Sequence, residues 1–316
     1  MQREMQRQRQ LQPIYKFQYL IDHEKIDFTW LSCNPNAIHI LEKNIDKIDW
    51  ENLSSNPKAI SILEAHLDKI DWGELSSNEN AIHLLEQHIE KIDWYLLSKN
   101  PNALQLLEDY SENIEWSNLS LNTNPKAIAL LEQNSDNIFW LNLSRNPNAI
   151  PILEKHLSKL DYRYLSTNPN AIHILEKHID KINWEFLSLN PNAIHLLEQH
   201  PEKIDWEYFS SNKNPKAISI LENKHKNENN FNKIDWWYLS YNPNALHILS
   251  QHIDNINWVQ LSQNPGLFEL DYLAMSRERN KIIQYELIVK ALHPSRLNKW
   301  LVYHLENGKD ISDFEY

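Results

Sequence analysis

The stretch Asp49-Trp50-Glu51-Asn52-Leu53-Ser54-Ser55-Asn56-Pro57-Lys58-Ala59-Ile60-Ser61-Ile62-Leu63-Glu64-Ala65-His66-Leu67-Asp68-Lys69-Ile70 decides the fold, because Asp71-Trp72 then starts the same phrase again. Near-copies of D-W-x-x-L-S-x-N-P-x-A-I-x-x-L-E-x-x-x-x-K-I fill the chain. Their tryptophans fall at Trp50, Trp72, Trp94, Trp116, Trp140, Trp184, Trp206, Trp236 and Trp258, with Tyr162 in the one vacancy. Proline recurs from Pro35 to Pro265, with Glu79 replacing it once. A fixed period near twenty residues marks stacked supersecondary units, each too small to bury its apolar face alone.

Within the quoted unit, Asn56 followed by Pro57 reads as a helix start, since Asn caps free N–H groups and Pro tolerates the first helical position. Ala59, Ile60, Leu63, Leu67 and Ile70 recur at helical spacing and form one apolar stripe. The pattern predicts a helix of about twelve to fourteen residues, from Pro57 to near Lys69. Asp71 then caps a second, shorter helix carrying Trp72 and Leu75, in part 3₁₀.

The expected fold is all-α, an α-solenoid of about ten 22-residue repeats with a helical C-terminal cap. Stacked helix pairs about 10 Å apart would give a rod or superhelix on the order of 100 Å long. Additions read as Asn122-Thr123, Asn212-Lys213 and a longer stretch from Lys224 to Asn232 fall between the helices, where extra residues cost little.

The organisation expected is an arm and cap over 1–25, the solenoid over 26–265 and a capping unit over 266–316. The last segment reads as three longer helices, bounded by Pro294 and stopped by Gly308. An atypical terminal unit covers the open face of a solenoid; docking through Arg296 and Trp300 is the rival role.

Composition narrows the function classes. Hydrophobic content of 41% supplies a continuous core, and only three glycines in 316 residues disfavour phosphate-cradling loops and hairpins. Cys33 is the single cysteine, so no intramolecular disulfide forms. A net charge of −12 argues against sequence-independent nucleic-acid binding by the whole surface. The start lacks an apolar h-region and no run of 18 apolar residues exists, so neither secretion nor a membrane span is expected.

The phrase K-I-D-W-x-x-L-S-x-N-P-N-A-I-x-x-L-E, as in Lys181 to Glu198 with Asn183 for Asp, resembles uncharacterised repeat proteins of large DNA viruses of amoebae and algae. The resemblance covers roughly residues 26 to 316, including A-L-H-P-S-R-L-x-x-W-L at Ala291 to Leu301. Glu79 for Pro, Tyr162 for Trp and Phe139 for Asp depart from it. The alternation of short and long helices also resembles leucine-rich-variant solenoids, which pair an α-helix with a 3₁₀-helix. The resemblance implies a solenoid of viral origin, placed in the host cytoplasm or the virion, and supplies no activity.

The candidate chemistry is repetitive. His39, His83, His173, His195 and His247 share one repeat position; His66, His88, His156, His178, His200 and His252 share another. Five residues apart within a repeat, the two sets do not make the i,i+4 pair of a zinc helix. The Asp at the phrase's first position (Asp49, Asp71, Asp93, Asp161, Asp205 and Asp235) serves as a cap, worth about 1 kcal/mol to its helix. The recurrent Glu, from Glu42 to Glu222, is copied in nine repeats. Catalytic constellations are single and asymmetric, so no catalytic residue, metal or cofactor is expected.

The variable positions carry more. The two residues after each Trp point away from the predicted core, and Tyr164, Phe186, Tyr208 and Tyr238 align over four consecutive repeats, with Trp237 beside them. Such a row fits a hot-spot strip for a protein partner and is the best candidate site; ring stacking between neighbouring repeats that stabilises the rod is the rival and simpler reading. The expected function is a non-enzymatic scaffold for protein–protein interaction. A structural component of a virion or assembly is the alternative.

Overall fold

The computed structural model describes residues 13–18, 22–228 and 234–306. They form two units, Phe17–Phe268 and a second that joins Met1–Lys16 to Glu269–Tyr316. The first is an all-α solenoid.

In the quoted repeat, Asp49 Oδ1 accepts the Asn52 N–H at 2.9 Å and starts the helix Trp50–Ser55. Leu53 and Ser54 are fully buried on one side of it. A turn at 57–59 leads to the helix Ile60–Ala65, which buries Ile62 and Leu63. His66, at φ −138° and ψ 54°, then leaves helical geometry, and a 3₁₀ turn, Leu67–Lys69, returns Ile70 to the core.

The single helix expected from Pro57 to Lys69 is therefore a turn, a helix and a 3₁₀ turn. The break has a use: it lays the His66 ring against Trp50 of the same repeat, centroids 5.1 Å apart. Trp72 and His88 (4.6 Å) and Trp94 and Tyr110 (5.3 Å) do the same.

The asparagine before the proline does more than cap. Asn78 is 1% exposed; its Nδ2 donates to the Ser54 and Asn56 carbonyls of the preceding repeat at 2.9 and 3.0 Å, and its Oδ1 accepts the Asn80 N–H at 3.0 Å. Asn100, Asn146, Asn168 and Asn190 repeat the pattern. Beside it, the Ser54 hydroxyl donates to Trp50 O at 2.7 Å and accepts the Asp71 N–H at 3.0 Å. Buried polar groups persist only where they are paired, so these two rows fix the register of every repeat on the next.

This ladder corrects the placing of the short insertions. Asn122 holds the buried position, bonding Ser98 O and Asn100 O, and Asn124 holds the outer position, bonding Pro101 O. The added pair is therefore Pro125-Lys126, which lengthens the following helix to Pro125–Gln133. Pro215-Lys216 is added likewise, since Asn212 and Asn214 keep the ladder positions. The longer insertion lies partly outside the described residues.

The solenoid is not an open rod. Asn34 Nδ2 donates to Ser262 O and Asn264 O, both at 3.0 Å, as Asn56 Nδ2 donates to Ser32 O and Asn34 O. The Asp27 N–H reaches Ser262 Oγ at 2.9 Å, and the helix Phe28–Leu31 packs on Trp258–Gln263. Eleven short helices, from Phe28–Leu31 to Trp258–Gln263, thus close a ring in which the last unit meets the first through the ordinary inter-repeat bonds. Each unit turns the chain by about 33°, and both terminal faces are covered by each other. The expected open face, with its need for a cap, does not exist in this unit.

At the join the eleventh outer helix is replaced by a 3₁₀ turn, Pro265–Leu267. A Cβ on Gly266 would lie 2.6 Å from the Pro243 carbonyl oxygen, so glycine permits the close approach. Phe17 stacks on Phe268 at 4.9 Å, within the short paired strands Tyr15–Phe17 and Phe268–Leu270.

In the second unit, Lys16 pairs with Glu269 at 3.1 Å. Two helices follow, Tyr272–Ala291 and Pro294–Glu306. The three helices expected after Pro265 are one strand and these two, and the stop assigned to Gly308 lies outside the described residues.

Candidate partner-binding face

The short helices bury the Leu and Ser of each L-S pair. At 100° per residue, the second residue after the Trp, and the one between Ser and Asn, then fall on the opposite face. Tyr164 and Phe186 have centroids 6.0 Å apart, Phe186 and Tyr208 5.9 Å, Tyr208 and Tyr238 5.6 Å. Successive short helices pack directly on one another, as Trp50–Ser55 on Trp72–Ser77 and Trp236–Tyr241 on Trp258–Gln263, more closely than the successive longer helices do, so the short helices form the inner layer of the ring. The row lines the inner wall.

The sequence-predicted residues are thus brought together as one half-buried run of rings. Trp237 stands beside it, 48% exposed, edge-on to Tyr238 at 4.8 Å. The row ends at a concave pocket of about 370 Å³ walled by Trp237, Tyr238, Tyr241, Leu189, Pro191 and Gln263. Two cations already sit on rings: Arg163 lies 4.6 Å from Phe186, and Lys213 5.4 Å from Tyr241.

Burial pushes the Tyr208 phenol above its ordinary range, with smaller contributions from Tyr238 and from Glu185, which accepts its hydrogen bond.

Sequence reasoning missed Tyr241 and Leu189. Both fill the slot between the buried Ser and the buried Asn, one helical turn beyond the row, a position readable only once both neighbours are known to be buried. It also missed Trp30, 37% exposed, which occupies the row's repeat position in the first unit. In a ring that unit follows the last, so Trp30 is separated from Tyr238 by Gln260 alone.

The opposite stretch of wall is different chemistry. Asn52, Glu74, Asn118 and Asn142 take the same repeat position there, with Leu96 among them, and Asn118 and Asn142 donate to Tyr95 O and Ser117 O of the preceding repeats.

The repeated polar residues have structural partners. Asp71, Asp93, Asp205 and Asp235 each accept the N–H three residues on. His83, His173, His195 and His247 reach Glu64, Glu154, Glu176 and Glu222 of the preceding repeat at 2.7–3.0 Å. The second histidine set lies against the Trp rings of the same repeats, and His178 against Tyr162. Among the described residues, no three His, Cys, Asp or Glu lie together as a metal site, and no helix is long and apolar enough to cross a membrane.

No protein-family model matches the chain, and neither a curated protein nor a solved structure is found similar to it. Sequence and structure together define a class: an all-helical repeat solenoid, here closed on itself.

Proposed function

We propose that this chain is a non-enzymatic scaffold that binds a protein partner through the inner wall of its repeat ring, with Tyr164, Phe186, Tyr208, Trp237 and Tyr238 as the binding residues. One observation carries the proposal: the only stretch of the W-x-Φ position that is aromatic over four successive repeats ends in a pocket lined by exposed rings. Large aromatic side chains grouped around a pocket are the usual anchors of protein interfaces. Repeat-wide polar residues that are consumed in caps, ladders and ion pairs support the non-enzymatic part. The viral origin, and action in the host cytoplasm, rest on the resemblance of the repeated phrase.

The test is affinity capture from infected-cell and host lysates with wild type and a Tyr164→Ala, Phe186→Ala, Tyr208→Ala, Tyr238→Ala variant whose fold is verified by circular dichroism. Loss of a specific partner from the variant supports the assignment. Partners unchanged in the variant reduce the row to ring stacking. Recovery of only capsid proteins or the chain itself favours a structural role in a virion.

A further inference from the structure

Ring closure turns the spacing of the aromatic row into a measure of the bore. Rings about 6 Å apart, repeating every eleventh of a turn, lie on a circle of radius about 10 Å. Allowing about 3.5–4.0 Å of van der Waals contact at each wall leaves a free width of roughly 13 Å. An α-helix with its side chains is about 10–12 Å across, so the bore matches one helix and excludes a pair or a folded domain.

The chemistry of the wall has a direction too. Tyr164 to Tyr238 spans three steps of the ring, an arc of about 100°, which is the width of the apolar stripe on an amphipathic helix. Facing the centre of that arc, between Phe186 and Tyr208, the same repeat position is Glu74, flanked by Asn52 and Leu96. Glu74 is half-buried and carries no described ion pair.

We infer that the partner occupies the bore as a single amphipathic α-helix, its apolar stripe against Tyr164, Phe186, Tyr208 and Tyr238 and a basic residue on its back towards Glu74. This rests on the proposed inner-wall function and specifies the partner's form. An apolar arc facing a polar stretch with the Glu74 carboxylate at its centre accounts for the stripe of the occupant, whereas an extended strand, with side chains alternating to two faces, would fill only part of the width. Because the ring is closed, the helix enters by an end.

The experiment uses the full chain and fluorescein-labelled 18-residue peptides in anisotropy titrations. One has a Leu stripe and a Lys back, one a Leu stripe and a Glu back, and one is the Leu/Lys composition scrambled to remove the stripe. A fourth probe fuses the Leu/Lys helix between two folded domains, and a fifth to one domain only.

The expected result is that the Leu/Lys helix binds at least tenfold more tightly than the scrambled peptide. Phe186→Ala/Tyr208→Ala should lower its affinity at least tenfold, and Glu74→Lys should reverse the preference between Lys and Glu backs. The single-domain fusion should bind and the doubly blocked one should not. Equal binding of the scrambled peptide, indifference to both variants, or binding of the doubly blocked helix overturns the inference. A proline-rich extended peptide that binds through Tyr208 while no helix does would overturn it and leave the inner-wall function standing. Capture of partners unaffected by the four-alanine variant would instead remove that function.

Discussion

Replacing Asn78 with alanine tests what holds one repeat on the next. The side chain is 1% exposed and makes three hydrogen bonds: to Ser54 O at 2.9 Å, to Asn56 O at 3.0 Å, and from the Asn80 N–H at 3.0 Å. The Asn56 carbonyl keeps the Ala59 N–H at 3.0 Å, so the loss falls chiefly on the buried Ser54 carbonyl and on the turn that Asn78 closes. Three bonds at about 1 kcal/mol each, with the penalty of a stranded buried acceptor, give a cost of about 3–4 kcal/mol. Asn80→Ala is the control: its Nδ2 donates to Pro57 O at 2.8 Å in an exposed setting, and its loss should cost under about 1 kcal/mol. Asn78→Asp goes further, because a carboxylate oxygen then faces two carbonyls. Folding disfavours the charged form there, so the acid's folded pKa rises above its unfolded value of about 3.9. The penalty is absent below that value and grows as pH rises towards the folded pKa. Urea unfolding followed by tryptophan fluorescence at pH 4 and pH 7 reads all three variants. An Asn78→Ala cost below about 1 kcal/mol, or one equal to that of Asn80→Ala, would refute the ladder as the main inter-repeat restraint.

Tyr162 stands where nine of the eleven repeats carry Trp, and its hydroxyl is buried with no hydrogen-bond partner among the described residues. Tyr162→Phe should therefore stabilise the protein by about 1 kcal/mol in the same unfolding assay. Asn34→Asp removes two buried donors of the join between the first repeat and the eleventh and sets a carboxylate against the carbonyls they served, and should open the ring. Small-angle scattering would show a larger radius of gyration, whereas Asn56→Asp, at an interface also joined by the chain, should change it less. For Tyr208, Glu185→Gln removes one charge that raises the phenol pKa. In an absorbance titration the Tyr208 contribution, assigned with Tyr208→Phe, should move down towards its ordinary value without reaching it, since burial is the larger cause.

Much of the candidate site was legible because it breaks a repeat. Four aromatic residues at one position in successive copies are visible in any alignment of the chain with itself, and the structure sets each ring 5.6–6.0 Å from the next. Tyr241 and Trp30 were not legible. The first needs the knowledge that Ser240 and Asn242 are both buried, which turns Tyr241 inward towards Tyr238's side; the second needs the first and last repeats to be neighbours.

The helical repeat, its aspartate caps and the core positions could be read from the chain because they are local: helical spacing and cap chemistry act within a few residues. The asparagines were marked as well, though as helix starts. That their amides reach back to the preceding repeat emerges from the packing, which alone sets a buried donor's partner 22 residues away in the chain. Closure emerges there too. Each repeat contributes a rotation of about 33°, a small angle fixed by how two layers of unequal width pack, and no single phrase encodes its sum. That sum, one full turn over eleven units, is what converts a row of exposed rings into the wall of a bore.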